Sequence, residues 1–230
     1  MSSQSTLGKM LDSILPPMPP FLEMISAQAE TLSKSMSIAV DYLEDPSEAK
    51  IKAMEELEAT AASLRNAHLD KLNNSYSTPI DRADVMQAIG TLSFPVGSMT
   101  LLIEEMKALK IPSDNYILEM AVVLRETANA LQRGYSKLAT TPGQAKADAQ
   151  TGMQCLSSVD RVYRKALGKL LTIDEDLRNM QAKQAGADVT TFIHVVDMLK
   201  KRETYRHMRN IASKMQEASG TLHAIVVQIG

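Results

Sequence analysis

The side chains able to do chemistry in this chain are mostly cations at helical spacing. Arg161, Lys165 and Lys169 recur at i, i+4 and i+8, which sets them on one face of a helix. Lys200, Lys201, Arg202, Arg206 and Arg209 form a denser basic group in which Glu203 is the only acid. Ammonium and guanidinium groups placed this way can hold a phosphate ion, anionic headgroups or an acidic partner by charge-assisted hydrogen bonds, or can be a solvated face. The first set is the candidate for a bound anion, and the second is the candidate for a partner surface. The four histidines, His68, His194, His207 and His223, make no H-E-x-x-H pattern. His68 lies on an apolar stripe between Leu64 and Leu72, the place of a core or interface histidine. His194 and Asp197, at i and i+3, can pair at a surface, and His207, among basic residues, is expected to face solvent. The single cysteine, Cys155, falls within a predicted helix without an activating partner and reads as a small buried hydrophobe rather than a nucleophile. No G-x-S-x-G, Walker A or Rossmann glycine pattern is present, so the sequence predicts a protein without catalytic residues.

The elements that carry these groups are helices. Hydrophobic residues make up 44% of the 230 and charged residues 23%, with fifteen Met, three Phe and no Trp. That mixture favours helices over strands and reads as globular and soluble. A net charge of −2 gives no electrostatic footprint of a nucleic-acid binder. The longest aliphatic run, 120–124, is far short of the roughly 20 residues a membrane span needs, and the N-terminus carries no signal-peptide pattern. A lone cysteine excludes an intrachain disulfide and suits a reducing compartment, so the protein is expected in the cytoplasm, with at most peripheral membrane contact.

The spacing predicts a first helix over 20–43 with Ile25, Ala29, Leu32, Met36, Ala39 and Leu43 inward. Asp45 and Pro46 supply an N-cap and an N1 proline for a second helix ending near 73–74. The third helix covers 82–109, interrupted by Gly90, Pro95 and Gly97, with a kink at 91–95. Asp114 caps a fourth, with Ile117, Met120, Leu124, Ala128, Leu131, Tyr135 and Leu138 inward; Pro142-Gly143 closes it. A fifth covers 144–171, with Leu156, Val159, Tyr163, Leu167 and Leu170 inward. The polar stretch 174–186 is a short helix or a loop, and the last helix follows Asp188, carrying Met208, Ile211, Met215, Ala218, Leu222, Ile225 and Ile229. After a flexible tail at 1–17, the expected fold is all-α: a six-helix up-and-down bundle over 18–230, in halves of about 18–110 and 114–230.

The most distinctive text is the corner at 73–84, "NNSYSTPIDRAD". Thr78, before Pro79, should be extended, and Asp81 can cap the next helix with Asp84 in its first turn. This corner resembles the "N-x-x-F-I-T-P-[IF]-D-R-E-D" corner of the PhoU-like proteins, in the branch associated with low-affinity (Pit-type) inorganic phosphate transporters. Tyr76 stands for the Phe, Ser77 for the Ile and Ala83 for the Glu. "LSSVDRVYRKAL" at 156–167 is similar to the family's "E-x-E-A-D-R-x-Y-R-E-A-L", and 205–227 is similar to its closing helix, "Y-x-x-L-E-x-x-x-D-x-x-E-D-x-A-x-x-L-E-x-I-V-V". The resemblance implies two three-helix repeats and an accessory or regulatory role in phosphate transport, exercised through contacts with a phosphate transporter or other membrane-transport protein. A homo-oligomer is also compatible with it. The alternative it carries is a metal-binding or storage bundle, since relatives hold iron or zinc on Glu-x-x-x-Asp motifs. The remnants of such motifs here are Glu58, Asp160, Asp81 and Asp84. The partner positions differ: Ala62 stands opposite Glu58, Leu156 opposite Asp160, Ser93-Phe94-Pro95 and Gly97 replace an acidic cluster, and Arg209 and Ser213 replace an acidic pair. An isolated carboxylate is a poor metal site, so no multinuclear cluster is expected.

Overall fold

The computed structural model describes residues 20–171 and 187–229. The tail at 1–17 and the polar stretch 174–186 lie outside the described residues. Among the described residues seven α-helices run in order: α1 (Phe21–Glu44), α2 (Glu48–Asn73), α3 (Arg82–Ala108), α4 (Asn115–Lys137), α5 (Ala145–Met153), α6 (Cys155–Leu171) and α7 (Ala187–Ile229). No strand occurs among the described residues, and the fold is an all-α bundle.

Helix ends follow the capping residues in most places. The Asp81 carboxylate accepts the Ala83 N–H at 2.8 Å, and that of Asp114 accepts the N–H groups of Tyr116 and Ile117, each at 3.0 Å. The second helix departs from expectation. Its N-cap is Ser47, whose side chain makes no capping bond, and Pro46 lies outside the helix. Asp45 instead ends α1, where Lys50 bonds its carboxylate at 3.0 Å. Helix α3 continues unbroken through Pro95. The hydroxyls of Thr91 and Ser93 bond back to the carbonyls of Gln87 and Ile89 in the turns before the proline. The expected fifth helix is divided: a 3₁₀ turn over Pro142–Gln144 leads into α5, and Gln154 separates α5 from α6.

Four helices form the centre. α1 packs on α3 and α4, and α7 packs on the same two, closing a ring. α2 covers the α1–α3 side, while α5 and α6 cover the α4–α7 side. The predicted stripes of α1 and α4 are wholly buried, as are Met208 to Ile225 of the α7 stripe. The stripe of α2 is buried at Ile51, Met54, Ala61, His68 and Leu72, as suits a helix with one covered side. On α6 the fully buried residues are Cys155, Val159, Val162 and Ala166, while Leu156, Tyr163, Leu167 and Leu170 are only partly covered. Small residues let α5 approach closely: a Cβ on Gly152 would stand 2.0 Å from the Ser219 hydroxyl oxygen. A buried carboxylate also holds α5 to α4, since Asp148 meets Arg133 at 3.1 Å and Lys137 at 2.6 Å. α3 is long and apolar enough to cross a membrane, yet 56% of its most apolar window is buried in the bundle, the behaviour of a core helix.

Candidate functional site

The corner at 73–84 is a scaffold built on its polar residues. Arg82 donates to the carbonyls of Ser75 and Leu72, and the Thr78 hydroxyl donates to the Ile80 carbonyl at 2.7 Å. Gln228, near the end of α7, accepts the Asp81 N–H at 3.2 Å and donates to the Asp84 carboxylate. Asp81 and Asp84 therefore fasten the corner to the last helix, and Tyr76 projects into solvent.

Glu58 borders a groove of about 540 Å³ between α2 and α3, floored by Ala61, Ala62, Gly90 and Gly97. Gly97 makes the room: a Cβ there would lie 3.0 Å from a Glu58 carboxylate oxygen. Burial raises the Glu58 pKa, Glu104 raises it further, and a hydrogen bond from Thr100 opposes them. Asp160 has a different neighbour. The Arg209 guanidinium reaches across from α7 and donates to both of its carboxylate oxygens. That bond holds the Arg209 pKa above its ordinary value. Among the described residues no three His, Cys, Asp or Glu side chains gather closely enough to hold a metal ion. Among the described residues a multinuclear iron or zinc centre does not fit: Glu55, on the same helix face, and Glu104 act on the Glu58 charge without gathering into a ligand set, and the Asp160 carboxylate is taken up by the Arg209 guanidinium.

The structure separates the basic residues that sequence spacing grouped. Lys200 donates to the Leu109 carbonyl at 3.3 Å, at the end of α3. Lys201 lies 3.4 Å from Asp114, Arg206 pairs with Glu203, and Arg209 is committed to Asp160. Among the described residues, Arg202 is the member of that group that is exposed without a direct ion pair. On α6, Arg161, Lys165 and Lys169 are all exposed and make no ion pair among the described residues, and Arg164 joins them. Arg164 stands three residues from Arg161, so extending the face by i+3 would have found it. Within α6 no other acid offsets this face, since Asp160, the sole carboxylate of that helix, serves Arg209.

His207 is half-buried, with Glu105 and Glu203 each 3.3 Å from a ring nitrogen, which corrects the expectation that it faces solvent. Its partner Glu105 belongs to α3, a contact that α7 spacing could not reveal. His68 is buried, and its pKa is lowered by burial and then by Lys71. The Cys155 thiol is buried and pushed up to about 11, which makes it a poor nucleophile. Tyr205 donates its hydroxyl to Asp114 at 2.6 Å.

Solved structures share this arrangement over nearly the whole chain. One is a PhoU-like protein from Shewanella oneidensis MR-1, at a TM-score of 0.61 and 11% identity, covering 90% of this chain and 100% of that one. The chain has the PhoU-like fold. The second PhoU-like structure, from the same organism and described as a phosphate regulatory protein, superposes at a TM-score of 0.53 with 8% identity, covering 91% of this chain and 100% of that one. No family model matches the sequence, and no curated protein matches it. At such identities the PhoU-like likeness is one of fold, and the side chains of each surface must be read from this chain.

Proposed function

We propose that the chain is a non-enzymatic regulator of inorganic phosphate transport, of the Pit-associated PhoU-like branch, acting in the cytoplasm through protein contacts. The observation that carries this reading is the cationic face of α6, where Arg161, Arg164 and Lys165 are exposed and make no ion pair among the described residues, on a helix held against α7. A basic face on a packed helix suits an acidic segment of a transporter or another membrane-transport protein. The PhoU-like fold and the corner at 73–84 support the phosphate connection, and the lack of any nucleophile–base pairing around Cys155 supports a role without catalysis. The same reading takes α1–α3 and α4–α7 as two repeats, a division in keeping with the packing of α1 on α4 and of α3 on α7.

The test is co-purification with a co-expressed phosphate transporter at rising salt. Native protein should be recovered at low salt and progressively lost as salt screens exposed charges over about 8 Å at physiological strength. Reversal of Arg161, Arg164, Lys165 and Arg202 to Glu should abolish recovery while leaving helicity intact. Equal recovery of native and reversed protein at every salt concentration would contradict the proposal.

A further inference from the structure

The α3–α4 corner contains a second cationic feature that the α6 face does not explain. Two adjoining hollows, of about 390 and 330 Å³, share Leu170, His194, Met198 and Lys201 as common walls. Lys169 opens into the first; Lys110 and Lys200 open into the second. Ammonium groups thus converge from three separate elements: the end of α3, the end of α6 and the first half of α7.

The acids nearby are already engaged. One oxygen of Asp114 accepts two N–H groups of α4, and the other accepts the Tyr205 hydroxyl at 2.6 Å beside Lys201 at 3.4 Å. Asp197 pairs with Lys200 at 3.6 Å. Lys169 and Lys110 make no ion pair among the described residues, so the four lysines exceed the two carboxylates. Lys110 also stands where a lysine is unfavourable. Its φ is 54°, the left-handed position after a helix that glycine ordinarily fills, and the Ile111 N–H bonds back to the Met106 carbonyl at 2.8 Å to complete the helix end. The strained residue sets an ammonium group beside the hollow. The apolar walls, Leu170, Met198 and Ile111, exclude water from one side and strengthen any charge contact made there.

We propose that this corner binds a phosphate group, as free inorganic phosphate or as the head of a small phosphate monoester, between Lys169 and Lys201, with Lys110 and His194 at its rim. Lysines act on phosphate as point charges, and several converging on one space suit a compact dianion better than a planar carboxylate. The hollows leave room beyond one oxyanion, which is why a monoester fits as well. A ligand here would contact both halves of the bundle where a single short connection joins them. The inference stands on the cation arrangement and not on the transporter contact, so either can fail alone.

The experiment is calorimetric titration of the full chain, at constant ionic strength, with inorganic phosphate, with glycerol phosphate and with chloride as control. Saturable binding of either phosphate compound, absent with chloride, is expected. Binding of the ion alone names free phosphate as the ligand, and binding of the ester alone names a phosphorylated metabolite. The double variant Lys110→Gly/Lys169→Ala should bind at least about tenfold more weakly, the effect of losing charge-assisted hydrogen bonds. Gly suits the backbone at 110, so the fold should be kept; Lys169→Gln alone, at an exposed position, gives the same reading if it is not. No saturable binding by the native chain, or equal affinity in the variants, would overturn the proposal.

Discussion

The pairing of Asp160 with Arg209 across α6 and α7 can be tested by substitution. The two side chains are 28% and 43% exposed, so water screens the pair and a full buried-ion-pair value does not apply. Against that, one guanidinium meets both carboxylate oxygens between two packed helices, which is better geometry than a mobile surface pair. A coupling energy of about 1 kcal/mol follows, at the upper end for exposed pairs. The measurement is a double-mutant cycle of Asp160→Asn, Arg209→Gln and the double variant by urea denaturation, followed by far-UV circular dichroism. Each single variant should lower the thermal midpoint by about 2–4 °C per kcal/mol lost. The double variant should cost less than the sum of the singles, and the coupling should shrink at 1 M salt, where the screening length is about 3 Å. Arg209→Gln frees one carboxylate and builds no second ligand, so it should not retain iron or zinc after purification. Coupling below about 0.3 kcal/mol, or stability of the native chain that falls on adding a chelator, would refute the reasoning.

Three further outcomes are expected. Gly152→Ala should destabilise by about 1–2 kcal/mol, overpacking against Ser219 outweighing the gain in helix propensity, whereas Gly90→Ala, with nothing within 4 Å of the added Cβ, should stabilise by about 0.5–1 kcal/mol; chemical denaturation of both gives the two signs. His68 has a lowered folded pKa, so the unfolded chain takes up its proton first as pH falls through about 6.5. Stability should therefore drop with acidification below that point and be unaffected above it, and His68→Gln should flatten this part of a stability–pH profile. Asp148→Asn should cost about 2 kcal/mol, because the buried carboxylate serves both Arg133 and Lys137 while those partners can turn to water; a thermal midpoint unchanged from the native chain would show the pair to be inert.

Periodicity made the fold legible wherever a helix has one buried side. The α1 and α4 stripes were readable because their apolar residues recur by threes and fours without competition. On α6 the larger residues misled: Leu167 and Leu170 are only partly covered, and the tightest contacts go to Val162 and Ala166, which are small enough to sit deep. Asp45-Pro46 reads as a cap and first turn, but Ser47, two residues after Asp45, takes the N-cap position. The basic residues were visible and their partners were not. Spacing tells which side chains share a face, but Arg209 with Asp160, Lys201 with Asp114 and His207 with Glu105 are meetings between helices. Lys110 carried a faint signal, a non-glycine residue two places before Pro112 at a helix end, and its left-handed backbone shows only in three dimensions.

The most direct test of a regulatory role in phosphate transport is the rate of inorganic phosphate uptake by cells lacking the gene, complemented with the native chain, with the α6 charge-reversed chain, or with an empty vector. The account predicts an altered uptake rate in the deleted cells, restored by the native chain and not by the reversed one, with both proteins present at equal levels. Uptake indistinguishable among all of these cells, under phosphate-rich and phosphate-poor growth alike, would contradict it.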